Sequence, residues 1–491
     1  MAQAHARMRN MNKIRLGREE YRDKMLGCWL GKNIGGTLGT PVEGQKFVHS
    51  FTYYDPVPKE PLPNDDLDFQ LVWLKMLEDR GANPAFEDFS DYWLKHLKGH
   101  WYSEYSFCTY NLQRGLKPPI SGAFQNYFVD EMGSPIRSEI WACVAPGDPQ
   151  LAAKMAWMDS AMDHAGGEGT WGEMFWSAVE SAAFVVSDPD VLIGIGLSMV
   201  PLSSHISRVI REAVRCHKEG LRWDEARERI VTIFGHYNAC NAIPNHGFTV
   251  IGWLYGEDYG DRICKAVNCA YDTDCTGATL GSLLGILDGA SKIPQKWKSP
   301  IGDAIRPVKF TVAEGLPTTV RELADRTESL AKKFLSQRSQ TVEFSDHTDT
   351  PADVLSLLFS NDRLRSLTGF DSQSSVESIG DFQIAFHYGG EPVLRPGIKR
   401  VFGLSLWRDW EPVDIAEVET SVSVPAGWRM ESATQQGNQR RFGVVADSIQ
   451  DRDIIDVTAS IRGVSKKLSF VVLGPDVVKS IPASTSAPRA Q

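Results

Sequence analysis

Two acidic clusters hold the residues of this chain best suited to chemistry. The first is Asn64-Asp65-Asp66-Leu67-Asp68 and the second, far later, is Asp272-Thr273-Asp274-Cys275-Thr276. Closely spaced carboxylates act as general acids and bases, or as oxygen ligands for a hard cation such as Mg²⁺ or Mn²⁺. An acidic run ahead of a helix also serves simply as an N-cap with favourable dipole charge. The second cluster departs from that simpler role. It follows the apolar stretch Ile263 to Ala270 and opens a helix of small apolar residues, which puts its carboxylates toward the interior. Unpaired buried carboxylates are costly, and a bound cation is a common remedy. The two clusters could therefore bracket one or two such ions. Glu43 adds a carboxylate on what reads as a glycine-rich loop, Gly35 to Gly44.

Only a fold can bring these distant residues together. From about residue 20 to 338 the chain reads as helices joined by Gly, Pro and Asp loops. Phe69 to Leu77 spaces its apolar residues helically behind the first cluster, and Gly172 to Val186 is a helix rich in Ala and Ser. Gly277, Gly281 and Gly285 stand four apart in the helix Gly277 to Leu287. Glycine weakens a helix, so such a stripe predicts a face pressed against another backbone in the middle of a bundle. Leu323 to Leu335 is amphipathic and closes this domain. Residues 337–352 are polar, and Asp353 to Leu367 reads as one more helix. Beyond it come short alternating segments: Phe382 to Tyr388, Val401 to Leu406, Ser421 to Val424, Arg441 to Val445, Ile454 to Ile461 and Leu468 to Leu473. Turn signals at Gly389-Gly390 and Pro425-Ala426-Gly427 separate them, the pattern of a β-sandwich. The expected order is an extension over 1–19, a helical catalytic domain over 20–338 and a linker with a helix over 339–374. A β-sandwich accessory domain over 375–478 and a disordered tail over 479–491 complete it.

Composition narrows the partners. With 52 Lys+Arg against 62 Asp+Glu the net charge is −10, and no basic stripe appears, so nucleic acid is excluded as the main partner. The eight cysteines show no CxxC or Cys/His zinc spacing and read as reduced thiols of a cytoplasmic protein. The basic N-terminus lacks the apolar core of a secretory signal. The most apolar stretch, Val191 to Leu202, is too short to span a bilayer, so no membrane role is expected.

Taken in order, the motifs resemble the ADP-ribosylglycohydrolase family over roughly residues 20–300. They are a helix ending in GGTLGTPVEG, NDD opening the next, the GSPIR loop of Gly133 to Arg137, Asp163-His164 before a helix, and DTDC running into a small-residue helix and Ile293-Pro294. The resemblance implies an all-α orthogonal helical bundle with a binuclear Mg²⁺ or Mn²⁺ centre in a central cleft. It implies that Asn64, Asp65, Asp66, Asp272 and Asp274 ligate metal. Glu43, Asp65 and Asp66 are the implied catalytic carboxyls. Gly133, Ser134, Arg137 and His164 are implied to meet the ribose and diphosphate. His246 is a further substrate-binding candidate, although a lone His is more often structural. Trp101, Trp141, Trp171 and Trp176 either line a sugar pocket or fill the core. Three positions depart from the family pattern: Gly36 stands for an Asp, Asn64 for a Thr, and Cys275 for a Thr or Ser. A thiol is a poor Mg²⁺ ligand, so either that coordination is lost or Thr276 supplies an oxygen.

The expected function is a metal-dependent glycohydrolase that cleaves a ribosyl, ADP-ribosyl-like N- or O-glycosidic bond. Its partner would be a small ribosyl or glycosyl substrate or an ADP-ribosylated protein. The alternatives are a glycoside hydrolase acting on a small furanosyl carbohydrate conjugate, and a catalytically inactive ADP-ribose-binding protein. The turn Val424 to Trp428, similar to those of accessory modules on carbohydrate-active enzymes, favours the first alternative. Gly36 and Cys275 favour the second.

Overall fold

The computed structural model describes residues 13–98 and 103–475, which form two compact units. The first takes in the chain up to Asn83, then Asp130–Trp157 and Gly167–Leu364, and is helical. Its centre is the pair of helices Arg18–Gly39 and Thr273–Asp288, which run antiparallel, glycine against glycine. A Cβ on Gly27, Gly31 or Gly35 would lie 2.2, 1.9 or 1.9 Å from the carbonyl oxygen of Gly285, Gly281 or Gly277. The predicted stripe thus meets a matching stripe on the first helix. Residues Gly35 to Gly39, read from sequence as loop, are helical because their glycines serve this backbone contact rather than a turn. Only past the helix, at Gly44 with φ +80°, does the chain use glycine's conformational freedom to turn. The antiparallel arrangement sets the end of the first helix beside the start of the second, at Gly39 and Thr273.

The helices Asp65–Arg80, Glu168–Ala183, Ala242–Tyr255 and Val320–Arg338 surround this pair in the same unit. A two-stranded parallel ribbon joins Ile14–Gly17 to Val342–Ser345, with Ile14, Leu16 and Val342 buried. The helix read over Asp353 to Leu367 is shorter, Val354–Leu358, followed by a 3₁₀ turn at Asp362–Leu364. Among the described residues no helix is long and apolar enough to cross a membrane.

The second unit comprises Pro84–Val129, Met158–Gly166 and the chain from Arg365. Its C-terminal part is two antiparallel sheets. One runs Ser374–Ile379, Phe382–His387, Arg400–Arg408, Gln439–Val445 and Arg429–Met430, with short strands Glu411–Val413 and Thr434–Gln436 at its margins. The other runs Val464–Leu473, Arg452–Ile461, Glu419–Ser423. Alternation sends Ile455, Val457, Ala459 and Ile461 into a core shared by both sheets, where Phe386 stacks on Phe470 at 4.6 Å. Each of the six strands read from sequence is present. The four missed strands are short, or, at Ser374–Ile379, buried on both faces and so without alternation.

Candidate metal and catalytic site

Asn64 starts the site. Its extended backbone caps the helix Asp65–Arg80, and its Oδ1 accepts from the Asp66 backbone N–H at 2.7 Å. Its Nδ2 donates to Asp274 Oδ2 at 3.3 Å, so the two acidic clusters meet. Several bonds fix the second cluster. Thr273 Oγ1 donates to the Gly39 carbonyl at 2.8 Å, and the Asp272 N–H donates to Asn245 Oδ1 at 3.2 Å. Asn245 is itself held through Nδ2 to the carbonyls of Ala239 and Asn241. Just before Asp272, Ala270 and Tyr271 adopt φ of 71° and 72°, left-handed values that cost each such residue about 1–3 kcal/mol. A clamp maintains them: the Tyr271 N–H donates to Gln45 O at 2.7 Å and the Gly44 N–H to Tyr271 O at 2.8 Å. Arg227 spans the same junction, donating to the carbonyls of Cys269 and Lys46. This clamp ties the Glu43 turn to Asp272.

The result is two groups of ligand atoms, those within each group lying within 4.8 Å of one another: Asp66, Asp274 and Cys275, all buried, and exposed Glu43 with half-buried Cys240 and buried Asp272. Both carboxylate oxygens of Asp66, and one each of Asp272 and Asp274, have no hydrogen-bond partner. Asp66, Asp272 and Asp274 are 1, 1 and 5 % exposed, so water does not compensate for the missing partners. Burial first, then mutual repulsion, pushes the pKa of Asp272 and Asp274 well above the carboxylate range. Asp65, half-buried, is raised for the same reasons. Glu43 is exposed as a residue, but its carboxyl faces the cluster and is pushed up to about 8 by desolvation, then by Asp272, Asp65 and Asp66. Asp66 is raised by burial, while the ammonium of Lys32, 3.5 Å from its Oδ1, pulls it back. Orphaned, crowded carboxylates of this kind fit a divalent cation.

Not every predicted ligand offers itself equally. The oxygen of Asn64 is committed to its cap. Thr276 Oγ1 donates to the Thr273 carbonyl at 3.2 Å and belongs to neither group, whereas Cys275 turns its thiol to Asp66 and Asp274. Asp68 is an anchor, accepting from the Val308 N–H and Thr311 Oγ1. Ser134 and Arg137 are fully buried: Ser134 Oγ donates to Gly169 O, and Arg137 lies 3.9 Å from Glu173 and over the ring of Phe69. Gly133 is buried beside them. His246 sits inside the helix Ala242–Tyr255 rather than on a loop, with Nδ1 2.7 Å from the Ala242 carbonyl and its ring stacked on Trp176. Burial lowers its pKa to about 4, which keeps the imidazole neutral at neutral pH. His164 belongs to the second unit, buried beside Asp163 at 2.9 Å and Glu104 at 3.8 Å. Trp141 and Trp176 are core residues, Trp171 is half-buried, and Trp101 lies outside the described residues.

Sequence reasoning missed several neighbours. Lys32 is buried and ion-paired with Glu139 at 2.8 Å, and Gln70 donates to the other oxygen of Glu139. A signal existed: Lys32 is the one charged residue between Met25 and Leu38. Glu131, whose pKa burial raises to about 8 with Asp272 contributing, carried no signal of its own. Asn245, the neighbour of His246, is the residue that holds the Asp272 backbone.

The family model for ADP-ribosylglycohydrolase matches residues 17–340, most of the chain. A solved structure described as an ADP-ribosylglycohydrolase-related protein complex is 20% identical, with a TM-score of 0.42 over 65% of this chain and 99% of that one. No curated protein matches. By the match over residues 17–340, the chain belongs to the ADP-ribosylglycohydrolase family.

Proposed function

We propose that this chain is a metal-dependent glycohydrolase that cleaves a ribosyl, ADP-ribosyl-like N- or O-glycosidic bond at the acid pocket. The observation that carries the reading is the meeting of Asp66, Asp272 and Asp274, with oxygens that have no partner, beside the exposed Glu43. Asp65, Asp66, Asp272 and Asp274 would hold the cation or cation pair, Mg²⁺ or Mn²⁺ on the family pattern, with Asn64 steadying Asp66 and Asp274. A divalent cation in such a site polarises sugar hydroxyls and acidifies water. Glycoside cleavage builds positive charge at the anomeric carbon, and the surrounding carboxylates favour that charge. Glu43, the most open carboxyl of the two groups, can pass a proton between its own oxygen and the leaving group or the incoming water. Lys32 holds Asp66 in place from the buried side.

The test is release of free ADP-ribose or ribose from a panel of ADP-ribosylated arginine and serine peptides, an ADP-ribosylated protein and aryl furanosides. Release from the ADP-ribosyl substrates is expected, and Glu43→Gln should lower kcat by about 10²–10⁴-fold. Cleavage of furanosides alone would replace the proposal with the carbohydrate reading. Tight ADP-ribose binding without turnover would make the chain a binding protein.

A further inference from the structure

The two ligand groups share a feature that a purely hard-cation site does not need: each contains a thiol. Cys275 stands with Asp66 and Asp274, and Cys240 with Glu43 and Asp272. Neither cysteine is in a disulfide. In the inner group the thiol is 8 % exposed, and it faces carboxylates whose oxygens lack partners. The neighbouring hydroxyl that could have offered oxygen, Thr276, instead bonds its own helix. Thiolate ligands favour borderline and soft cations, and a hard cation gains little from them. We propose that the pocket is a mixed carboxylate–thiolate site that selects a divalent transition ion such as Co²⁺ or Zn²⁺ over Mg²⁺. Cys275 is the sulfur ligand of the inner group and Cys240 that of the outer. This rests on the reading that the acid pocket holds a cation. On binding, the Cys275 S–H bond breaks, its proton passes to solvent, and the sulfur lone pair forms the metal bond. No electron changes hands.

The probe is Co²⁺, added to the full-length protein stripped with a chelator and exchanged into chelator-free buffer. The readouts are the near-ultraviolet thiolate-to-cobalt absorption band, bound cobalt by elemental analysis, and proton release in weak buffer. The wild type should show the band with at least one cobalt bound, and Mg²⁺ in about hundredfold excess should leave it in place. Cys275→Ser should remove the larger part of the band while cobalt still binds, and Cys240→Ser the smaller part. Cobalt bound without the band, or ready displacement by equimolar Mg²⁺, would overturn the inference yet leave a cation site standing. A band unchanged in both variants would place the sulfur ligand elsewhere and likewise overturn it. Failure of any divalent cation to bind would sink both this inference and the metal-dependent reading beneath it. Because the wild type alone decides the first two outcomes, a variant that folds poorly does not blunt the test.

Discussion

The strand unit and the acid pocket treat buried polar groups in opposite ways. In the strands, His387 is nearly inaccessible but fully served: Nδ1 lies 2.9 Å from Asp371 Oδ2 and Nε2 lies 2.7 Å from Ser405 Oγ. Ser405 Oγ also accepts from Trp407 Nε1, and the Tyr388 hydroxyl donates to the Val471 carbonyl. In the acid pocket, Asp66, Asp272 and Asp274 are just as buried and keep oxygens that accept no hydrogen bond, with the Lys32 ammonium, 3.5 Å from Asp66, as a counter-charge. Native folds rarely leave buried acceptors unpaired without cause. The first pattern is that of structure and the second is the one proposed above to take a cation, so perturbing the two regions should give opposite results.

The largest effect should come from the frame under the pocket. Gly281→Ala puts a Cβ 2.2 Å from the Gly31 carbonyl, a helix backbone that cannot yield locally. Overpacking of that kind should cost about 3 kcal/mol or more, well beyond the gain of about 1 kcal/mol in helix propensity. Urea unfolding followed by circular dichroism measures it, and a loss under about 0.5 kcal/mol would mean that the helices do not approach so closely. Next comes His387→Ala in the strands. It leaves Ser405 with Trp407 alone and removes a partner from Asp371, so it should cost about 1–3 kcal/mol and leave cation affinity unchanged. Loss of cation binding in that variant would erase the distinction between the two regions.

The same contrast explains what could be read in advance. The strands were legible because their polar residues alternate with core residues, as in Ile455, Val457, Ala459 and Ile461. The glycine stripe announced a close contact, but not its partner, because Gly35 and Gly39 of the matching stripe sit in the segment Gly35 to Gly44 that reads as a glycine-rich loop. The acidic residues were legible as types. Their convergence was expected from the burial of the second cluster and from the family resemblance; the means of it was not, since it depends on the Asn64 to Asp274 bond and on the left-handed Ala270 and Tyr271, which are not glycines. Arg137 was legible from its motif but its surroundings were not: the side chain is fully buried, 3.9 Å from Glu173 and over the ring of Phe69.

A smaller effect should appear in the pH dependence of the metal-free protein. The pocket carboxyls have raised folded-state pKa values: about 8 for Glu43 and Glu131, about 7 for Asp68, and above the normal range for Asp66, Asp272 and Asp274. The folded state therefore holds protons that the unfolded chain has already released. Its stability is full below the ordinary carboxylate values and falls as pH rises toward 8. A bound divalent cation removes the repulsion, so its addition should raise the melting temperature more at pH 8 than at pH 5.5. An equal rise at both values would mean that the cation binds away from these carboxyls.

The smallest effect on stability, and the sharpest contrast with His387, belongs to Asp272→Asn. Asp272 is 1 % exposed, one of its oxygens has no partner, and Asp274 is the first of the charges that raise its pKa. Replacing the carboxyl by an isosteric amide removes the repulsion it meets whenever it ionises in the metal-free protein. The backbone N–H of residue 272 still donates to Asn245, so the helix start keeps its anchor. Stability of the metal-free variant at pH 8 should be unchanged or higher by about 1 kcal/mol, as at other functional sites that trade stability for activity. Cation binding, measured by calorimetry, should be lost or weakened at least about tenfold, since metal sites need their ligands deprotonated and charged. A variant that lost stability while keeping its cation would show that Asp272 is a structural residue like His387, and the orphaned oxygens would then need another explanation.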